Sequence, residues 1–289
     1  MVLQKELIER SADESQSVDR QALADGRSLL HFLSHSEERR RIFDALADNT
    51  ATPAGLAGSL PISRRTVQRT LRAFAERGLV EHEAGEYSLT TTGWLVYDTF
   101  GSAIADLGVI LAHQSVFDRL PADVPLPAPE WLSDAVIVTD GGSDRPRSVE
   151  RWYTRRIRET DVDVFRTVLP VVTPAASDRF RHVLDGEDAE LSVVVDMADR
   201  DALRRELGSI GGMDPAAVEV FEAAGTPSIG YAVTPDRAFV RGYDEKGNVD
   251  VCIETDDPDF RRWVLENYHE RQRAASRITF DGGPDLTAR

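Results

Sequence analysis

Between Pro61 and Gly78 the chain places Arg64, Arg65, Arg69, Arg72 and Arg77 against one carboxylate, Glu76, with Gln68 among them. Guanidinium and carboxamide groups are planar hydrogen-bonding forks. The chemistry open to them is recognition, arginine pairing bidentately with guanine edges and phosphates and glutamine with adenine. Ser63 precedes them and suits a helix N-cap, its hydroxyl accepting a free backbone N–H of the first turn. Val67, Leu71 and Phe74 then recur at helical spacing. At 100° per residue with Val67 inward, Arg65, Gln68, Arg69 and Arg72 point outward. Such a helix is held by its apolar side and offers cations to a groove.

The flanking residues must position that helix. Leu56, Ala57 and Leu60 anchor a preceding helix, Ala57 and Gly58 allow a close crossing, and Pro61-Ile62 make the turn. Gly78 suits the left-handed residue after the helix. Leu79–Glu83, a turn at Ala84-Gly85-Glu86, and Tyr87–Thr92 read as strand, turn, strand. Over Glu37–Gly93 this pattern resembles the winged helix-turn-helix domains of the ArsR, IclR and TrmB regulators. The resemblance implies binding of double-stranded promoter DNA by Ser63, Arg64, Arg65, Thr66, Gln68, Arg69 and Arg72. Arg65, Gln68 and Arg69 would read bases, and Arg64, Thr66 and Arg72 would hold phosphates. The wing carries Glu81, Glu83 and Glu86, leaving His82 as its one cation candidate for DNA.

The chain of 289 residues is long enough for two domains, and its 50 acidic against 34 basic residues give a net charge of −16. Its only lysines are Lys5 and Lys246. This balance resembles that of salt-in halophilic archaeal proteins, in which arginine's weaker hydration favours it over lysine. At about 1 M salt the Debye length is about 3 Å, so the global charge would not repel DNA from afar. The single cysteine, Cys252, excludes intrachain disulfides and multi-cysteine metal sites, and its alternating strand makes it a small buried residue. No apolar run is read as a membrane span and no signal segment is read at the N-terminus, so a soluble, cytoplasmic protein is expected.

Residues 1–36 form an N-terminal helical extension in which Leu29, Leu30, Phe32 and Leu33 need a covering surface. Residues 37–93 are the winged helix-turn-helix. Residues 94–129 are a helical connector and a proline-rich linker (Pro121, Pro125, Pro127, Pro129). In the connector, read as one helix over Trp94–Leu120, Tyr97, Phe100, Ile104, Leu107 and Leu111 form a seam suited to a packed connector or, as the favoured reading, to a homodimer. Residues 130–276 read as an α/β effector-sensing domain and 277–289 as a disordered tail. Expected strands are Ala135–Thr139, Val162–Val168, Glu190–Val195, Ser228–Val233, Ala238–Tyr243 and Val249–Glu254. Expected helices are Arg147–Thr160, Ala175–Leu184, Arg200–Leu207, Pro215–Ala224 and Asp257–Ala274. Their alternation predicts a largely parallel sheet with an antiparallel edge.

The element order of this half resembles the effector domains of methanogen filament-regulator proteins and, more distantly, of TrmB regulators with their phospholipase-D-like fold. Enzymes of that fold need a His-x-Lys pair, and His113, His182 and His269 lack a lysine two residues on. Gly141-Gly142 is no GxGxxG, and neither a GxxxxGK loop nor a Gly-x-Ser-x-Gly elbow occurs. Asp196, Asp199 and Asp201 read as metal ligands or, more simply, as a solvated loop with Asp199 capping the next helix. No catalytic residue, metal or cofactor is expected. Ligand candidates are Trp131, Tyr153, Arg156, Arg166, Tyr231 and Arg241, near strand ends where open sheets form clefts.

The sequence thus predicts a two-domain α+β and α/β chain: a winged helix-turn-helix, a long helical connector and a mixed-sheet domain. It would act as a dimeric DNA-binding transcriptional regulator responding to a small-molecule effector or mediating assembly. A winged-helix protein-interaction module, or a phospholipase-D-like enzyme, is the alternative.

Overall fold

The computed structural model describes residues 20–278 apart from 122–124, 141–147, 161, 187–188, 211–213, 224 and 226. Gly141-Gly142 and the tail beyond residue 278 therefore lie outside the described residues. The chain divides into two compact units, Met1–Ala105 and Asp106–Arg289.

In the first unit, helix α1 covers residues 20–34, followed by α2 (Glu37–Asp48), α3 (Pro53–Ser59) and α4 (Arg64–Ala75). Strands β1 (Val80–Glu83) and β2 (Glu86–Leu89) pair antiparallel, and Ala51 bridges to Tyr87 beside them. Each helix start is chemically specified. Ser36 accepts from the Arg39 N–H, Thr52 from Gly55 with Pro53 in the first turn, and Ser63 from Thr66. Gly78 is left-handed at φ 67°, and the hairpin turns through Ala84 and Gly85 at φ 51° and 88°. One core joins Ile42, Phe43 and Leu46 to Leu56, Ile62, Val67, Leu71 and Phe74 and to Leu79, Val80 and Leu89.

α1 packs on this core through Leu33, with Leu29 and Phe32 beside it, whereas Leu23 and Leu30 stay exposed. Phe32 is covered by cations: the Arg39 and Arg77 guanidiniums lie 4.2 and 3.9 Å from its ring centre. Gly93, in the first turn of α5 (Thr91–Ala112), passes the Leu79 carbonyl so closely that an added Cβ would lie 2.0 Å from the oxygen.

The expected single helix over Trp94–Leu120 is corrected by the structure. α5 starts at Thr91 and ends at Ala112, and a separate turn, α6 (Gln114–Phe117), follows His113. Tyr97 and Phe100, placed in a dimer seam by the sequence, pack against the winged-helix core. Ile104, Leu107 and Leu111 remain exposed. The reading that no segment reaches membrane-span length is also corrected, since α5 has mean hydropathy 1.5 and is long and apolar enough to cross a membrane. Asp98 and Asp106 interrupt the run, but two charges do not outweigh so many apolar neighbours.

The second unit contains β3 (Val136–Thr139), α7 (Ser148–Arg158), β4 (Val164–Leu169), α8 (Ala175–Leu184), β5 (Glu190–Asp196), α9 (Arg200–Gly208), β6 (Val218–Ala223), β7 (Gly230–Val233), β8 (Ala238–Tyr243), β9 (Val249–Thr255), α10 (Pro258–Ala274) and β10 (Ser276–Ile278). They build an eight-stranded sheet of order β10-β6-β5-β4-β7-β8-β9-β3. Among the described residues only β4–β5 and β5–β6 run parallel, so the expected largely parallel sheet is instead mixed, with a parallel centre and antiparallel flanks.

Two predicted elements change. Pro215–Ala224, read as a helix, is a short 3-10 turn followed by β6, because Val218 and Val220 fill sheet positions beside β5. Arg277 and Ile278, read as tail, pair with Phe221 and Val220 in β10. Both faces of the sheet are covered. One core lies on the face that receives α7, α8 and α9. The other lies under α10 and includes Val116, Leu120 and Leu132. Double coverage explains the near-continuous burial of β5, β7, β8 and β9.

Candidate nucleic-acid interface

α4 is fixed on one side and free on the other. Val67, Thr70, Leu71 and Phe74 are buried, Phe74 lying tilted against Phe43 (ring centres 5.1 Å) and edge-on to Phe32 (5.9 Å). Arg64, Arg65, Gln68, Arg69 and Arg72 are exposed, and no salt bridge or side-chain hydrogen bond involves them among the described residues. Some arginines elsewhere do meet carboxylates, exposed Arg41 with Glu37 and Arg262 with Asp259, and half-buried Arg119 with Asp250. Four guanidiniums and a carboxamide on one helical face are thus left without internal partners.

The other expected contacts are occupied differently. The Ser63 hydroxyl accepts the Thr66 N–H at 3.2 Å and lies 3.0 Å from the Thr66 hydroxyl, so these two side chains are engaged with each other at the helix start. Arg77 turns back onto the Ala73 carbonyl and the Phe32 ring, away from the α4 face. His82 stacks on its cross-strand partner Tyr87 (ring centres 4.4 Å, 30°). Glu81, Glu83 and Glu86 are exposed along the wing, Glu86 accepting from the Thr50 hydroxyl. A wing of that charge would repel a phosphate backbone.

The ligand candidates scatter through the second unit. Trp131 lies 6.1 Å from Trp263 and 6.5 Å from Phe260 in the core under α10. Tyr231 faces the same core edge-on to Trp263, and burial pushes its phenol up to about 12. Arg156 is held bidentately by Glu254 at 2.8 and 2.7 Å, and that hydrogen bonding holds its proton more tightly than usual. Arg166 is 3.9 Å from Glu190 at the rim of β4. Among the described residues Arg241 joins two other candidates, its guanidinium lying 4.6 Å from the Tyr153 ring centre and donating to the Tyr231 carbonyl at 3.2 Å. The sequence reading missed their neighbours Arg179, Tyr243 and Glu150. Arg179 and Glu150 lie on amphipathic helices, where charge usually marks the solvated side.

The acidic cluster resolves as loop chemistry. Asp196 accepts the Ala198 N–H and caps a 3-10 turn over Met197–Asp199, whereas Asp199, the expected cap of α9, makes no such bond. Burial and then Asp196 raise the Asp199 carboxyl above the usual range. No group of metal-ligating side chains occurs among the described residues.

Residues 27–111 match the family described as the HVO_A0261 N-terminal domain, and residues 147–274 match the middle domain of the methanogenesis regulatory protein FilR1. Among solved structures, TrmBL2, an archaeal chromatin protein, is 12% identical, covering 87% of this chain and 99% of its own at a TM-score of 0.40. NucT from Helicobacter pylori is 8% identical, covering 50% and 99% at a TM-score of 0.39. A mutant of MepR from S. aureus is 17% identical, covering 37% and 85% at a TM-score of 0.25. No curated protein matches the chain. The two family matches, one on each compact unit, give the chain the domain types of a FilR1-like transcription regulator.

Proposed function

We propose that this regulator binds promoter DNA sequence-specifically by inserting α4 into the major groove, as a homodimer, in the cytoplasm, with the α/β domain sensing a small molecule. The observation that carries the reading is the row of internally unpartnered Arg64, Arg65, Gln68, Arg69 and Arg72 on a helix whose opposite side is buried. Arg65, Gln68 and Arg69 read base edges. Arg64 and Arg72 hold phosphates, with Ser63 and Thr66 closing the helix start so that its free N–H groups face the same backbone. His82, stacked on Tyr87, is the wing's contact if the wing reaches DNA.

The homodimer reading is supported by exposed Ile104, Leu107 and Leu111 on one face of α5. Asp98 and Asp106 would each cost about 2.5–3.5 kcal/mol in a bilayer centre, which favours a second helix over lipid as their neighbour. Recognition without chemistry fits the absence of a His-x-Lys pair from the sequence.

The test is selection of binding sites from random duplexes, followed by affinity measurements on chosen and scrambled sites. Gln68→Ala is expected to lose about 1–3 kcal/mol of discrimination at one base pair, and Arg72→Ala to weaken both duplexes alike. Failure to enrich any sequence would sink the reading. The acidic wing favours a second one, in which this domain contacts a basic protein surface; that reading predicts no selected DNA site.

A further inference from the structure

β8 is buried along its length, yet Arg241 sits within it at 1% exposure. Its cross-strand neighbours are Gly230 on β7 and Cys252 on β9. Glycine leaves the space the guanidinium fills, since a Cβ on Gly230 would lie 3.0 Å from Arg241 Nη2 and 2.7 Å from the Tyr243 hydroxyl. Nη2 donates to Thr167 Oγ1 and to the carbonyls of Val168 and Tyr231 at 3.1–3.2 Å, all neutral acceptors. Among the described residues Arg241 Nε has no hydrogen-bond partner.

A second buried arginine stands on the same side. Arg179 of α8 is 2% exposed and lies 4.9 Å from the Tyr153 ring centre, so the two guanidiniums share one aromatic ring. Its Nη1 donates to Thr154 Oγ1 at 2.8 Å and is 3.8 Å from Glu150 Oε1. Glu150 also accepts the Thr173 hydroxyl. Among the described residues one carboxylate therefore serves two buried cations. The Tyr153 and Tyr243 hydroxyls are also buried without partners, and burial holds both phenols neutral by raising them.

Uncompensated buried charge and orphaned buried donors are both strongly unfavourable. The unused groups here are all able to donate: Arg241 Nε–H and two phenolic O–H groups. What satisfies them together is an acceptor-only group of negative charge. A groove of about 650 Å³ lies between α7 and α8, with Glu150 and Thr154, the residues that hold Arg179, in its lining, so its floor is one side chain away from Arg179. Arg151, Arg155 and Arg158 line the same groove beside Glu150, Glu159 and Asp178, with Arg155 paired to Glu159, so an entering anion meets guanidiniums that carboxylates in part already neutralise.

We propose that the α/β domain binds a small molecule by an oxyanion head, a carboxylate or a phosphate. The head enters between α7 and α8, displaces the Glu150 carboxylate and is held by Arg179 and Arg241 with the Tyr153 and Tyr243 hydroxyls. This deepens the sensing half of the reading above and rests on it for the purpose of the site. The binding itself is measured without DNA, so its failure and failure of operator binding are separate results.

The experiment is thermal denaturation of the full chain at fixed ionic strength, with chloride replaced stepwise by inorganic phosphate in one arm and by acetate or citrate in another. A saturable rise of about 3–6 °C at tenfold excess over the dissociation constant is expected in one arm, which identifies the head. Removing an orphaned hydroxyl should leave the fold intact, so Tyr153→Phe and Tyr243→Phe are expected to melt as the parent does without anion and to respond less to it. Glu150→Gln is expected to melt lower without anion and to gain more from it, the resident competitor being gone. Rises no larger than those of chloride in both arms, or unchanged responses in both tyrosine variants, would overturn the proposal.

Discussion

Cys252 and Asp244 show how position sets the chemistry of single residues. Cys252 lies at 0% exposure in β9 beside Arg241, and burial pushes its thiol up to about 12. Only the thiolate reacts with alkylating agents. Iodoacetamide at pH 8 is therefore expected to leave Cys252 unlabelled in the folded chain and to label it fully in denaturant, as read by mass spectrometry. Asp244 accepts from the backbone N–H groups of Lys246 and Asn248 and from the Asn248 amide. The Asn248 side chain is the largest of these influences, and the Asp244 carboxyl is held below the ordinary 3.8. A depressed carboxyl stabilises the fold above its unfolded value and loses that contribution as pH falls through the folded one. The turn should thus persist at pH 4 and open below its own midpoint, followed by the Asp244 carboxyl resonance; a midpoint above 3.8 would contradict it.

At the scale of elements, the junction of wing and α5 depends on one missing methyl group. Thr90 bonds the Gly78 carbonyl and receives the Gly93 N–H at 3.0 Å, drawing the first turn of α5 against the Leu79 backbone. With only 2.0 Å between an added Cβ and the Leu79 oxygen, Gly93→Ala must shift backbone rather than a side chain. A loss of about 1–3 kcal/mol, or more, is expected in urea unfolding. Gly101→Ala, with nothing within 4 Å of its Cβ position, serves as the control and should be neutral or slightly stabilising. On α5 itself, Leu107→Asp and Leu111→Asp are expected to dissociate the proposed dimer in sedimentation while leaving the winged-helix core intact, because both side chains are exposed.

For the molecule as a whole, a net charge of −16 and a locally cationic α4 act in opposite directions. If the two α4 helices of a dimer each place Arg64 and Arg72 on phosphates, about four contacts give a slope of about −3.6 in log K against log salt. Much of the specific affinity would then have to come from base contacts, which salt affects less. Stability should move the other way. Carboxylate repulsion is screened as the Debye length falls to about 3 Å near 1 M salt, so the melting temperature is expected to rise with potassium chloride beyond the physiological range. A maximum below that range would remove the halophilic reading.

Periodicity and caps are local, and what they determine was legible. Ser63, Val67, Leu71 and Phe74 specified α4 and its outward arginines, and the boundaries of Ala175–Leu184 and Ala238–Tyr243 followed from apolar spacing alone. Tertiary contacts decided the rest. Val218-Glu219-Val220 became strand rather than helix because β5 and β10 flank it with open hydrogen-bonding edges. Arg77, sequentially part of the cationic row, was taken by the Phe32 ring. Nor does any spacing in the sequence bring Glu150, Tyr153, Arg179, Arg241 and Tyr243 to one place. Helices α7 and α8 do so by packing on the face of the sheet to which β8 presents Arg241 and Tyr243, and partners that far apart in the chain are set by the fold.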